Sequence, residues 1–234
     1  MGSRVTGEVM THASPQLTRR HILGLLALTA GGGPTLAQTP ATPRSARLPA
    51  TVLAPADRAL VDRAVAYLQD LRTARGRFIQ TDARGGVSQG TVLLQRPGRA
   101  RFTYDPPSGL TVVSNGNTVS VLDTRLRSFQ AYPLLATPLS LFLGREINVD
   151  RGVVVDQVVQ TAEGFDIVAR DARRQAEGRI RLSFTSEPTL TGWALTDAQG
   201  QTTRVQLRQF GPAGALDPGL FVLRDPRPRA GSSR

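Results

Sequence analysis

From Arg77 to Leu207 the apolar residues of this chain keep returning at every second position. Ala100, Phe102 and Tyr104 are spaced by Arg101 and Thr103. Ile180, Leu182 and Phe184 are spaced by Arg181 and Ser183, and Thr203, Val205 and Leu207 by Arg204 and Gln206. Side chains of a strand alternate between its two faces, so each segment reads as a strand wet on one side and apolar on the other. Gly85-Gly86, Pro97-Gly98, Asn115-Gly116, Glu163-Gly164 and Asp197 to Gly200 punctuate the run. Turn signals at intervals of roughly ten residues predict a meander of about ten antiparallel strands. A one-sided sheet of that width has an apolar face too large for a single helix to cover. It must curl on itself, with helices closing the open side. The expected fold is therefore mainly β with helices, an antiparallel barrel or half-barrel whose open side the helices close. Whether such a barrel encloses a hydrophobic cavity or is packed solid stays open at this level.

Two segments carry helical punctuation. Pro55 to Arg72 places Leu60, Ala64, Leu68 and Leu71 at spacings of four, four and three, with Pro55 in the first turn and Asp57 near the positive end. That stripe should pack on the sheet. Thr137-Pro138-Leu139-Ser140-Leu141-Phe142-Leu143-Gly144 has proline at its start and glycine at its end. With so little polar face, this short helix must be covered or must itself cover something. Pro138, Leu139, Leu141, Phe142 and Leu143 are therefore the candidate lid. Residues 38–54, rich in Pro, Thr, Ala and Arg, read as a disordered linker, 55–225 as one folded domain, and 226–234 as a disordered tail.

Residues 1–37 read as a cleaved signal peptide. Arg19-Arg20 precedes an apolar run from Ile22 to Ala30, and Thr35-Leu36-Ala37 forms a small-x-small cleavage site. Roughly 20 apolar residues are needed to span a bilayer, and this run is far shorter. A periplasmic location is expected. Thr18-Arg19-Arg20-His21-Ile22-Leu23 resembles a twin-arginine export signal, and the ordinary secretory reading stands beside it. Met10 stands beside Met1 as the start.

Composition now excludes most chemistry. The chain has no cysteine, no lysine and two histidines, His12 and His21, both within the leader. The mature chain cannot assemble Ser-His-Asp or Cys-His catalysis, a His or Cys zinc site, or a Schiff-base lysine. A carboxylate pair or a calcium or magnesium site would still be open to it. Its acids are dispersed, however, and no DxDxDG-type loop occurs. No enzyme, metal site or cofactor is expected. The formal charge is +11 and all 29 basic residues are arginine, which reads as a genome-wide codon bias. No arginine run exceeds two and aromatics are 5% of the chain, whereas nucleic-acid binders cluster charge and interleave aromatics. No nucleic-acid partner is expected; the charge points to general attraction to anionic membrane surfaces or acidic partners.

The order of these features resembles the periplasmic outer-membrane lipoprotein carrier family, LolA, over roughly Ala64 to Phe221. It is carried by Gly76-Arg77-Phe78-Ile79-Gln80 and the stretch from Gly90 through Leu94-Gln95-Arg96-Pro97-Gly98 to Arg99. Arg101-Phe102-Thr103-Tyr104, Val113-Ser114-Asn115-Gly116, Thr137-Pro138-Leu139, Leu195-Thr196-Asp197 with Gly200, and Leu220-Phe221 follow. The resemblance implies an unclosed antiparallel β-barrel, or half-barrel, with a helical lid over a hydrophobic cavity, for which Phe78, Leu93, Ala100, Phe102, Tyr104, Ile180, Leu182, Phe184 and Trp193 are the candidate lining. It also implies that Arg96 holds the lid closed through hydrogen bonds to its backbone. From the residues alone, the alternative for Arg96 is a turn arginine before Pro-Gly, and for Trp193 an ordinary core tryptophan. Ala100 stands where many members carry a large apolar residue near the cavity mouth.

The function implied is a monomeric shuttle for the acyl chains of lipoproteins, or a related lipid. Cargo would come from an inner-membrane ABC transporter and pass to an outer-membrane acceptor. Covering acyl chains incompletely would keep release feasible, since each buried CH₂ contributes about 0.8 kcal/mol. The alternative is a periplasmic sensor of lipidated proteins or hydrophobic ligands on the same fold. Such sensors carry a further C-terminal domain, and here the chain ends about a dozen residues after Phe221.

Overall fold

The computed structural model describes residues 53–137, 139–149, 151–172 and 178–226. The leader, residues 38–52 of the linker, Pro138 of the lid and residues 227–234 of the tail lie outside the described residues. Helix α1 spans Pro55–Asp70 and turns Val61, Ala64 and Leu68 inward, with Leu60 half-buried beside them. Eleven strands follow. They are β1 Thr73–Thr81, β2 Val87–Gln95, β3 Arg99–Tyr104, β4 Leu110–Asn115, β5 Thr118–Asp123, β6 Ser128–Pro133, β7 Val153–Gln160, β8 Gly164–Asp171, β9 Arg179–Thr185, β10 Leu190–Thr196 and β11 Thr202–Pro212. Between β6 and β7 lie a 3-10 turn, Leu134–Ala136, and the short helix α2, Ser140–Leu143; a second 3-10 turn, Pro218–Phe221, follows β11. Leu53, the first described residue, packs against the core.

All eleven strands form one antiparallel sheet in the order β6-β5-β4-β3-β2-β1-β11-β10-β9-β8-β7. Consecutive strands pair in space except β6 and β7, which lie at opposite edges, and at the centre the first and last strands pair. That single long-range pairing moves the open edges to β6 and β7, in mid-chain. The segment joining those two edges contains α2, which places the lid candidate at the gap.

The sheet is strongly curled. Phe102 on β3 and Trp193 on β10 are four strand steps apart, about 19 Å along a flat sheet. Their rings nevertheless lie 5.9 Å apart. The inner face carries one continuous apolar cluster that includes residues of α1, α2 and both halves of the sheet. The expected unclosed antiparallel barrel is the fold the chain adopts.

Two glycines permit close approaches that a side chain would block. A Cβ on Gly90 would lie 2.1 Å from the carbonyl oxygen of Thr103 and 2.8 Å from the Phe78 ring, so Phe78 can only lie across β2 because that position is bare. Gly98 has φ +76, and its Cβ would lie 2.7 Å from Cα of Gly116. Backbone of that kind belongs to glycine.

Candidate functional site

The β2–β3 hairpin, Arg96-Pro97-Gly98, holds both helices by their C-terminal ends. The backbone N–H of Arg96 donates to the carbonyl of Arg72 at 2.8 Å. Its guanidinium donates through Nη1 to the carbonyl of Leu68 and through Nη2 to the carbonyl of Gly144, the latter at 2.6 Å. The N–H of Gly98 donates to the carbonyl of Leu143 at 2.7 Å. Leu68 is in the last turn of α1, and Leu143 and Gly144 end α2. These are carbonyls that no helical N–H can satisfy, at the negative pole of each helix. Arg96 is buried, and among the described residues no carboxylate pairs with it. Burial, reinforced by the like charge of Arg72, pulls its guanidinium below the usual arginine value. Carbonyl dipoles are what compensate its charge, and its planar fork suits two at once.

Under this hairpin α2 is almost wholly apolar toward the sheet. Leu139, Phe142 and Leu143 are buried and Leu141 is half-buried. Ser140, the one polar residue of α2, turns its hydroxyl to the carbonyl of Thr137 at 2.9 Å. From α2 a chain of rings runs along the inner face. Phe142 lies 5.6 Å from Trp193, Trp193 5.9 Å from Phe102, Phe102 5.6 Å from Phe78, and Phe78 4.9 Å from Tyr104. Most of these contacts are edge-to-face, the arrangement aromatic quadrupoles favour. Phe184 stacks on Phe165 at 5.4 Å and meets Tyr67 of α1 at 6.3 Å. The indole N–H of Trp193 is buried without a hydrogen-bond partner.

At the far end of the same strands a cavity of about 500 Å³ opens between the β1–β2, β3–β4 and β5–β6 hairpins. Gln80, Tyr104 and Leu110 reach its wall from the core, while Val87 and Leu126, 70% and 48% exposed, stand at its rim. The Tyr104 hydroxyl donates to Oε1 of Gln80 at 2.6 Å, and burial pushes the phenol up from its ordinary value. One end of the barrel is thus held by Arg96, and the other is open beside Tyr104.

Of the residues expected to line a cavity, Phe78, Ala100, Phe102, Tyr104, Ile180, Leu182, Phe184 and Trp193 all lie buried in the inner cluster. Leu93 does not belong with them. Val92 pairs with Phe102 and Leu94 with Ala100, whereas Leu93 pairs with Arg101 and Arg75 and is only half-buried. Directly opposed residues share a face, so Leu93 lies on the outer one. The three apolar residues Val92-Leu93-Leu94 conceal the phase of the alternation. The expected lid residues are placed together except Pro138, which is outside the described residues.

The residues that sequence reasoning missed are Leu68, Arg72, Leu143 and Gly144 as backbone acceptors. A carbonyl has no signature in the sequence. Val61 was missed too, although its three-residue spacing to Ala64 was there to read.

A family model described as outer membrane lipoprotein carrier protein LolA matches residues 69–224. The outer-membrane lipoprotein carrier protein of Chromobacterium violaceum is 26% identical over 192 residues, covering 78% of this chain and 92% of the relative. That of Methylococcus capsulatus is 30% identical over 174 residues, 70% of this chain and 83% of the relative. The crystal structure of a LolA superfamily protein from Nitrosomonas europaea aligns over 69% of this chain and 97% of its own, with a TM-score of 0.37 at 9% identity. The family match begins at the end of α1 and takes in every strand and α2; this chain belongs to the LolA family of outer membrane lipoprotein carrier proteins.

Proposed function

We propose that this protein is a periplasmic carrier that binds the acyl chains of lipoproteins, or of a related lipid, and moves them from the inner to the outer membrane. A leader over residues 1–37 would deliver it there, an inner-membrane ABC transporter would load it and an outer-membrane acceptor would unload it. The family is one of carriers, not of enzymes. The observation that carries the reading is the Arg96 fork, which ties the end of α2 to the end of α1 across the mouth of an apolar, ring-lined barrel.

In this reading α2 is the lid and Arg96 its latch. Acyl chains occupy the space that Phe142, Leu139 and Leu143 fill when the lid is down, so cargo and lid compete for one apolar surface. Closing the lid restores the Arg96 bonds to Leu68 and Gly144, and that gain opposes retention of cargo. A charge-assisted hydrogen bond contributes about 1.5–3 kcal/mol, comparable with a few buried methylenes at about 0.8 kcal/mol each. The latch is therefore strong enough to bias release and too weak to prevent loading.

The test is extraction of lipoproteins from spheroplasts, followed by transfer to outer-membrane fractions. The wild-type protein should co-purify with acylated proteins and surrender them. Arg96→Leu should load at least as well and fail to release. Release by that variant at the wild-type rate would refute the latch, and absence of any acylated species bound to either protein would refute the carrier.

A further inference from the structure

Along the chain the arginines are scattered, but the fold gathers them. Arg75 and Arg77 of β1, Arg99 and Arg101 of β3, Arg170 of β8, Arg179 and Arg181 of β9, and Arg204 and Arg208 of β11 all alternate with residues of the inner cluster, such as Ala74, Phe78, Ala100, Ile180 and Val205. They consequently share the outer face. Register brings them into rows. Arg77 lies directly opposite Arg208, Leu93 is flanked by Arg75 and Arg101, and Ala194 is flanked by Arg204 and Arg181.

The acids near this face are spent at its margins. Asp105 binds Arg77, Asp166 binds Arg181, and Asp156 lies beside Arg170 and Arg179. Arg101 is engaged with the carbonyl of Leu220. In the middle, on β1 and β11, Arg75 and Arg204 have no ion-pair partner among the described residues, and Arg208 reaches only Oε1 of Gln206 at 3.4 Å. All three are exposed. Asp105 balances Arg77 opposite Arg208, so the positive charge left uncompensated on this face is that of Arg75, Arg204 and Arg208, and an anion brought there would meet it.

We propose that the outer face of β1, β9 and β11 is a docking surface for membranes that display anionic phospholipid headgroups. Between the arginines the face presents Thr81, Thr91, Thr196, Gln206 and Ser183 together with the half-buried aliphatic residues Ile79, Leu93 and Ala194, and no aromatic side chain. A protein interface is built around buried aromatic or aliphatic anchors, and single-stranded nucleic acid needs stacking rings. A broad field of arginines whose aliphatic neighbours are scattered and half-buried, with no ring among them, suits a layer of phosphodiesters, which guanidinium forks can bind in pairs and which requires no fixed register. Contact through this face leaves the hairpin at Arg96 and the lid on the other side of the sheet. The inference goes beyond the carrier reading, because it concerns where the protein rests and does not depend on what it carries.

The full chain is mixed with vesicles of pure phosphatidylcholine, or of phosphatidylcholine with 30% phosphatidylglycerol by design, at low and moderate salt, and bound protein is separated by flotation. Partitioning onto the anionic vesicles alone, falling as salt rises, is expected. R75Q/R204Q/R208Q should weaken it at least about tenfold. R63Q/R84Q/R151Q, which removes the same charge away from the face, should leave it within about twofold. Circular dichroism checks that both variants are folded. Equal losses in the two variants, or no loss in the first, would overturn the proposal. So would absence of vesicle binding alongside salt-sensitive retention on polyglutamate beads, which would assign the face to an acidic protein. Lipoprotein extraction measured on the same variants separates this outcome from failure of the carrier reading.

Discussion

Arg96 is a buried cation whose compensation comes from two helix ends, and its replacement should be felt in both stability and lid position. Arg96→Leu strands the carbonyls of Leu68 and Gly144 while removing the cost of burying a charge. The net loss for the empty protein should be about 1–3 kcal/mol in urea unfolding. Arg96→Lys keeps the charge but not the planar fork, so it should fall between the two. Trp193 is the only tryptophan and touches Phe142 of α2, which makes its emission a direct reporter. Arg96→Leu should shift that emission in the folded protein, and an unchanged spectrum would mean that the lid stays down without its latch. Tyr104 offers a second measurement. Burial raises its pKa, so the folded state holds the phenolic proton more tightly than the unfolded chain, whose value is about 10. Its contribution is complete below that pH and is lost as pH rises above it. Tyr67 and Tyr132 shift in the same direction and share the effect. Stability should therefore decline above about pH 10, and Tyr104→Phe should flatten that decline while costing about 1 kcal/mol at neutral pH through the lost bond to Gln80.

Among elements, the β2–β3 hairpin matters most, because it presents Arg96 and Gly98 to α2 together. Gly98→Ala forces a Cβ toward Cα of Gly116 at positive φ, so the turn must move. It should lower stability by about 1–3 kcal/mol and loosen the lid with Arg96 intact, read as slower cargo release and faster amide exchange in α2. Normal release from a destabilised Gly98→Ala would show that the hairpin backbone does not help hold the lid. The strands themselves were legible in the sequence, because their alternation and turns are local. So was the short helix α2, because proline and glycine bracket its apolar run. What could not be read is what register decides. Leu93 sits in an unbroken apolar triplet, and its face is fixed by the register that sets it opposite Arg75 and Arg101 on the flanking strands. The arginine rows are invisible for the same reason, since Arg77 meets Arg208 only because the first and last strands pair.

At the scale of the whole molecule the sheet separates the inner apolar cluster from the buried residues of its outer face, and the two sides should behave as independent units. The inner one includes α1, α2 and the rings from Phe142 to Tyr104. On the outer face, Val113 and Phe221 are buried but stand apart from that cluster. The turn Pro218–Phe221 lies there against β3 and β4, held by Arg101 and capped by Asp217, whose Oδ1 accepts the N–H of Gly219. Phe221→Ala empties a fully buried aromatic site and should cost about 3–4 kcal/mol. It touches neither the Arg96 latch nor the rings beneath it, so the protein that remains folded should keep a closed lid, with wild-type Trp193 emission and wild-type release. Combined with Arg96→Leu, the two losses in unfolding free energy should add to within about 0.5 kcal/mol, as expected for sites without shared partners. A larger coupling would mean that the C-terminal turn and the lid communicate through the sheet, and that the two faces of the barrel open together.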